Sequence, residues 1–240
     1  MIAKKNISII IPALKNDSQY KRCVFSIEAA FDGKSFSFEI LVVTPNPNDF
    51  QGSSRHVKVF KENHSGIYNA MNQGISSAIG EYIYFMGQDD IMLPSFCDAL
   101  ALCEDDCDIV VSDVFFGSKR MYRNKVSKLF LVLKNWCHQG VIYNKDSFKV
   151  NAGFYKGLYK SQADHYANIL MMSGSRRARH YSGCIAWYSA DGFSTVYRDE
   201  KFRKVFPVLI LKKFGLIYFL VVSVRRWLLH SHNIVLGFFR

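Results

Sequence analysis

A short β-branched apolar run, Ile7 to Ile11, opens the patterned part of the chain and is closed by Pro12. Glu39 to Val43 repeats the pattern and is closed by the turn cluster Thr44-Pro45-Asn46-Pro47-Asn48. Apolar runs of this length, bounded by turn residues, predict buried strands. Between them, Cys23, Ile27 and Ala30 recur at helical spacing within Ser18 to Phe31, so the opening reads strand, helix, strand. That order predicts an α/β fold: a mostly parallel, Rossmann-type sheet with helices on its faces. Val57 to Phe60 predicts a third strand. A helix capped by Ser65 follows, with Ile67, Ala70, Met71, Gly74, Ile75 and Ala78 on one face and Gly80 as its stop. Glu81 to Met86 predicts a strand that runs directly into Gly87-Gln88-Asp89-Asp90. Pro94 to Cys103 reads as the next helix and Asp108 to Phe116 as the next strand.

Composition bounds this picture. At 240 residues, 49% hydrophobic, the chain can bury a full core and suits one domain with an appended tail. The six cysteines include no C-x-x-C pair, and Cys103 and Cys107 are separated by acidic residues with no second ligand pair nearby. Without a signal-peptide pattern ahead of the first strand, a reducing cytoplasm is expected. The net charge of +11 calls for an anionic partner. From Arg198 to Arg240 nine basic residues face two acidic ones, so +7 of the excess sits in the tail. A second basic stretch, Lys119 to Lys134, lacks acidic residues and is expected to be a mobile excursion. No nucleic-acid recognition pattern accompanies these charges, and nucleic acid is excluded as a partner.

In an open α/β sheet the ligand crevice lies at the C-terminal strand ends, which places Asp89 and Asp90 where a site belongs. Adjacent carboxylates disfavour joint ionisation unless a cation or hydrogen-bond donors compensate. Oxygen ligands of this kind suit Mg²⁺ or Mn²⁺, which bind a carboxylate or two together with substrate phosphates. A turn carboxylate capping the helix near Pro94 is the alternative. The stretch Gly66-Ile67-Tyr68-Asn69-Ala70-Met71-Asn72-Gln73-Gly74-Ile75, with Gly80-Glu81-Tyr82-Ile83 and Asp89-Asp90 after it and Ile7 to Pro12 before it, resembles the family 2 glycosyltransferases, especially bacterial members that build surface polysaccharides.

That resemblance implies a GT-A fold and an inverting transfer of sugar from a nucleotide-diphosphate donor to an acceptor hydroxyl in polysaccharide or lipopolysaccharide synthesis. It makes Asp90 the metal ligand, has Asp89 contact the ribose or share the metal, and lets Pro12, Gly66 and Asn72 line the nucleotide pocket. One position departs from the family: Thr44 stands where members carry an aspartate that helps hold the base. In the second half, His138-Gln139-Gly140-Val141-Ile142-Tyr143 resembles the strand after the acceptor loop. Gly153-Phe154-Tyr155 and Ala163-Asp164-His165-Tyr166 resemble the segment bearing the catalytic acid residue, which makes Asp164 the general base. Asp164 can also serve as the N-terminal charge of a helix to Met172. Asp113 can face the crevice, His138 and Gln139 can approach the acceptor or phosphates, and Asp191-Gly192-Phe193-Ser194 resembles a closing loop.

The expected organisation is a glycosyltransferase domain over 1–195, with a nucleotide-binding half over 1–90 and an acceptor half over 91–195. A basic, apolar, amphipathic tail over 196–240 completes it. Within the tail, Phe214 to Val224 is too short to span a bilayer and is flanked by Lys212-Lys213 and Arg225-Arg226-Trp227. It is expected to lie on the inner face of the cell membrane, near a glycan or lipid-linked acceptor, or else to pack on the domain or a partner. Two rival functions remain: a non-catalytic nucleotide-sugar-binding protein, which Thr44 suggests, and a nucleotidyltransferase, whose Gly-rich phosphate loop is absent after the first strand.

Overall fold

The computed structural model describes residues 6–50, 54–103, 107–117, 120–152, 159, 161–174, 177–189 and 199–238. The first half alternates as read: β1 (Asn6–Pro12), α1 (Ser18–Phe31), β2 (Ser37–Thr44), β3 (Val57–Lys61), α2 (Ile67–Ser77) and β4 (Tyr82–Phe85). Then come β5 (Ile91–Met92), α3 (Phe96–Ala101), β6 (Ile109–Phe116), β7 (Arg120–Tyr122), α4 (Lys128–Leu133), β8 (Val141–Asn144), α5 (Lys145–Asn151), α6 (Ala163–Gly174), β9 (Ala178–Tyr188), α7 (Glu200–Phe214) and α8 (Leu216–Phe238). All the strands join one sheet in the order β3-β2-β1-β4-β8-β6-β9-β5, with β7 pairing β6. β1 to β4 pair in parallel, β8 runs against both β4 and β6, and β9 is parallel to β6. The C-terminal ends of β1, β2, β4, β6 and β9 therefore share one edge, and the Gly87–Asp90 turn lies there.

Both faces of the sheet are covered. Ile10, Leu41, Ile83 and Phe85 pack toward α2 and α4 to α8. Ile9, Ile11, Ile40, Val42, Tyr82 and Tyr84 pack toward α1 and α3 on the other face. The continuous apolar runs follow from this double burial. Gly74 lets α2 rest on β1, because a Cβ there would stand 2.4 Å from Ile10 Cγ2.

Three expectations change. The cap of α2 is Gly66 rather than Ser65, with a backbone φ of 116° that L side chains rarely adopt. The helix ends at Ser77, before Gly80, whose role is close approach: a Cβ would sit 2.6 Å from the Ser8 amide nitrogen. Residues 120–134 of the basic stretch are built rather than a mobile excursion. They supply β7 and α4, and Leu131, Val132 and Trp136 anchor them in the core, with Trp136 Nε1 donating to the Lys125 carbonyl at 2.8 Å.

The tail run from Phe214 to Val224 is divided by Gly215, which closes α7 with a φ of 93°. Phe202, Leu209, Ile210, Phe214 and Val222 enter the core, so α7 and the start of α8 pack on the domain.

Candidate active site

The turn after β4 is anchored at nearly every polar group. Gln88 Oε1 accepts from the Leu14 and Lys15 amides at 2.6 and 3.4 Å, which ties the turn to the loop after Pro12. The Asp89 carbonyl accepts from Arg22 Nη2 at 3.3 Å, and Cys23 Sγ donates to the Gly87 carbonyl. Asp90 is fully buried and points inward. Its Oδ2 accepts from the Gly87 amide at 2.8 Å and from Gln139 Nε2 at 2.9 Å, and its Oδ1 from the Ser189 amide at 3.0 Å. Burial pushes its pKa up to about 6, with the Asp89 charge adding to it and the three donors opposing. The expectation that Asp90 is the metal ligand meets a carboxylate already engaged by the protein. Asp89 is half-exposed, and among the described residues its carboxylate has no hydrogen-bond partner. Nor does Asp90 or Asp89 cap a helix: α3 has Ser95 as its N-cap.

Asp164 lies in the first turn of α6. Tyr68, from the first turn of α2, donates to its Oδ1 at 3.0 Å, and Asn135 Nδ2 donates to its Oδ2 at 2.6 Å. Burial raises its pKa, while Tyr68, the His165 amide and Asn135 pull it down. The two carboxylates are joined by one short segment: Asn135 holds Asp164 and, four residues on, Gln139 holds Asp90. Between them Cys137 is close enough to feel both charges, and burial pushes its thiol up to about 12.

The other candidates sort by geometry. Pro12 ends β1 opposite Val43, and Gly66 is the N-cap of α2, the helix that carries Asn72 in its second turn. Thr44 is fully buried, and its Oγ1 accepts from the Asn46 amide at 3.3 Å, closing its own turn. Burial lowers the pKa of His138 and His165 to about 4. His138 stacks on Phe85, and His165 donates from Nε2 to the Leu131 carbonyl beside Phe202 and Phe206. Asp113 is buried, accepts from the Asn124 amide and stands 3.6 Å from His180. A 380 Å³ pocket opens beside Asp113, Arg123, Lys125 and His180, and its lining includes none of Asp89, Asp90 or Asp164. Residues 153–155 and 191–194 lie outside the described residues.

A sequence model described as Glycosyl transferase family 2 matches residues 8–196, most of the chain. The chain belongs to this family. It is thus a glycosyltransferase. A PGL/p-HBAD biosynthesis glycosyltransferase of Mycobacterium bovis (strain BCG / Pasteur 1173P2) is 26% identical over 94% of this chain and 92% of its own length. Among solved structures, S. aureus TarS 1–349 in complex with UDP-GlcNAc superposes with a TM-score of 0.70 at 16% identity, over 86% of this chain and 66% of that one. The chain spans only 39% of a longer TarS structure. The mannosyltransferase PcManGT of Pyrobaculum calidifontis, in complex with GDP-Man and Mn2+, superposes with a TM-score of 0.60 at 13% identity, over 93% of this chain and 65% of that one. These neighbours show the GT-A-like fold.

Several groups that contact Asp90 and Asp164, directly or through Asn135, were not singled out from the sequence. Tyr68 lies within the stretch that carries the resemblance but was given no role of its own. Asn135 and Asn168 carry no local motif. The Ser189 contribution is a backbone N–H, which leaves no trace in side-chain pattern.

Proposed function

We propose that the chain transfers a sugar, with inversion, from a nucleotide-diphosphate donor to an acceptor hydroxyl in polysaccharide or lipopolysaccharide synthesis, using Asp164 as general base. The observation that carries this reading is the convergence of Asp90, in the strand-end turn that also bears the half-exposed Asp89, and Asp164, held by two hydrogen-bond donors, on the Asn135–Gln139 segment. The nucleotide sugars bound by two fold neighbours support it.

Among the described residues no three His, Cys, Asp or Glu side chains cluster as a metal cage. One free carboxylate is still a fitting protein ligand for Mg²⁺ or Mn²⁺, which complete their shells with phosphates and water. Asp89 would hold the ion, and Asp90, locked by Gly87, Gln139 and Ser189, would fix the turn that presents it. A bound ion would neutralise the charge that builds on the departing diphosphate. Pro12, Gly66 and Asn72 would line the nucleotide, with Gly66 freeing the amides at the start of α2 for phosphate. Because Thr44 closes its own turn, the base contact falls to other groups. Asp164 takes the proton of the attacking hydroxyl as it bonds to the anomeric carbon.

The test is release of nucleoside diphosphate from a panel of UDP, GDP and dTDP sugars in the presence of Mn²⁺ or Mg²⁺. Release from one of them, abolished by EDTA, is expected. Silence across the panel, with no metal-dependent nucleotide binding, would favour a non-catalytic binding protein.

The tail reading places the enzyme in the cytoplasm, peripheral on the inner face of the membrane and near a glycan or lipid-linked acceptor. Leu216, Ile217, Leu220, Val224 and Trp227 are 52 to 77% exposed and fall on one side of α8, beside exposed Lys212 and Lys213. Among the described residues no helix is long and apolar enough to cross a membrane. Arg225 and Arg226 reach back to the Leu133 and Arg203 carbonyls, so the opposite side of α8 is the one that packs on the domain. Such a helix inserts its apolar side at the interface while cations meet anionic headgroups. The protein is expected to co-sediment with vesicles containing anionic lipid and to leave them when both Leu220 and Trp227 are changed to serine. Equal sedimentation of that variant would refute this role for α8.

A further inference from the structure

The Asp164 carboxylate is the end of a longer chain of hydrogen bonds. Asn135 donates to it through Nδ2, and Asn135 Oδ1 accepts from Asn168 Nδ2 at 2.9 Å. Asn168 Oδ1 in turn accepts from the Tyr143 hydroxyl at 2.6 Å. Tyr143 and Asn168 are fully buried, on β8 and α6, and Tyr143 is packed among Phe85 and Phe148.

Each link constrains the next. An ionised carboxylate only accepts, so Asn135 must turn its NH₂ toward Asp164 and its carbonyl toward Asn168. Asn168 must then turn its own NH₂ toward Asn135 and present its carbonyl to Tyr143, whose single proton completes the chain. Read from the other end, a phenol that donates to Asn168 holds both amides in the one orientation that offers Asp164 a hydrogen-bond donor. If the amides reversed, the carbonyl of Asn135 would face the carboxylate, an arrangement that only a protonated Asp164 satisfies.

We propose that Tyr143 and Asn168 are positioning residues: they fix the orientation of Asn135 and so keep Asp164 ionised and aimed as the base. The proposal rests on the reading of Asp164 as base. Neither residue reaches the substrate. Their effect passes through two amide groups whose polarity is set far from the reacting atoms, and buried networks of this kind act as units.

The titratable groups around Asp164 make this readable. Tyr68 on α2 donates to it, and burial together with the Asp164 charge keeps that phenol protonated. Cys137, on the segment before β8, is held up as a thiol by burial. From α4 and α7 the contacts to this turn of α6 fall on His165, through the Leu131 carbonyl and the rings of Phe202 and Phe206. Burial keeps His165 neutral. From α5, Asn151 packs at Gly174, at the far end of α6. The main influences on the Asp164 carboxyl are burial, Tyr68, the His165 amide and Asn135.

The experiment follows the Asp164 carboxyl directly, by its ¹³C chemical shift in protein labelled at aspartate Cγ, with the signal assigned by its loss in Asp164→Asn. Tyr143→Phe keeps the ring and removes the hydroxyl whose proton sets the chain. Its Asp164 midpoint is expected to rise by roughly one pH unit or more, the size of a lost or inverted hydrogen bond to a carboxylate. The acid limb of metal-dependent nucleotide release from the UDP, GDP and dTDP sugar panel should move with it. Asn168→Ala breaks the chain one link nearer and should do the same, which keeps the test open if Tyr143→Phe folds poorly. If Asp164→Asn abolishes release while both variants leave the midpoint and the acid limb unmoved, Asp164 remains the base and the positioning proposal falls. If Asp164→Asn releases nucleotide at the wild-type rate, the base reading falls and takes this one with it.

Discussion

Asp164→Asn is expected to lower sugar transfer by about 10² to 10⁴, the usual worth of a positioned general base, without lowering the melting temperature. The two halves of this result separate function from structure. If Asp164 mattered only as the N-terminal charge of α6, its neutral amide would cost roughly 0.3 to 1 kcal/mol of stability and leave the chemistry intact. The environment argues the other way. Burial raises the Asp164 pKa above the ordinary carboxylate value, so the folded protein binds its proton more tightly than the unfolded chain does. Stability then falls as pH rises from the unfolded carboxylate value through the raised one, and the deficit is fully present above it. Near neutral pH the wild type bears the cost of a buried charge that the neutral amide of the variant would not bear, and the carbonyl oxygen of the new side chain can accept from Asn135 Nδ2 as the carboxylate does. Thermal melts at pH 7 beside transfer assays check both halves. A variant that melts lower and still turns over would reduce Asp164 to a helix charge. Activity of the wild type should also fall with decreasing pH as Asp164 takes up its proton, since only the carboxylate can accept one.

Fold and site were unequally legible, for physical reasons that differ from residue to residue. Ser18 to Phe31 was readable to its ends because its apolar stripe is regular and Asp17 caps it, accepting from the Gln19 and Tyr20 amides. The strands of the first half were readable because burial on both faces leaves continuous apolar runs. α4 was obscured by charge: the basic residues from Lys119 to Lys134 drew the reading, although Leu129 to Leu133 is a continuous apolar run whose Leu131 and Val132 are buried. The antiparallel placement of β8 between β4 and β6 left no local signal, since pairing partners are a property of the sheet rather than of the strand. Asp89, Asp90 and Asp164 could be put forward as site candidates because their order and spacing carry the resemblance to the family. Which of the two adjacent aspartates turns inward could not be found, because it depends on a glutamine at 139 and a backbone amide at 189 that only the fold brings to Asp90.

That inward turn gives the second large effect. Asp89→Ala and Asp90→Ala should fail in opposite ways. The Asp89 carboxylate makes no hydrogen bond among the described residues, so its removal should change stability by less than about 0.5 kcal/mol, as for an ordinary surface substitution. Metal-dependent binding of the nucleotide sugar and turnover should nevertheless be lost, because the ligand that would hold the ion is gone. Asp90→Ala strands the Gly87 amide, the Gln139 side chain and the Ser189 amide at once. Each buried donor left without its partner costs on the order of 1 to 3 kcal/mol. Relief of the buried charge offsets part of this, because the Asp90 pKa stands near 6 rather than at its ordinary value. A net loss of several kcal/mol is expected in urea unfolding, with an activity loss that excess Mn²⁺ does not restore, since the turn itself has moved. Calorimetric titration of Mn²⁺ with nucleoside diphosphate, run beside denaturant melts of both variants, separates the two roles. Should Asp90→Ala keep the wild-type stability and lose only the metal-dependent binding, the ion would belong to Asp90, and the inward carboxylate would have to rotate out of its three hydrogen bonds to meet it.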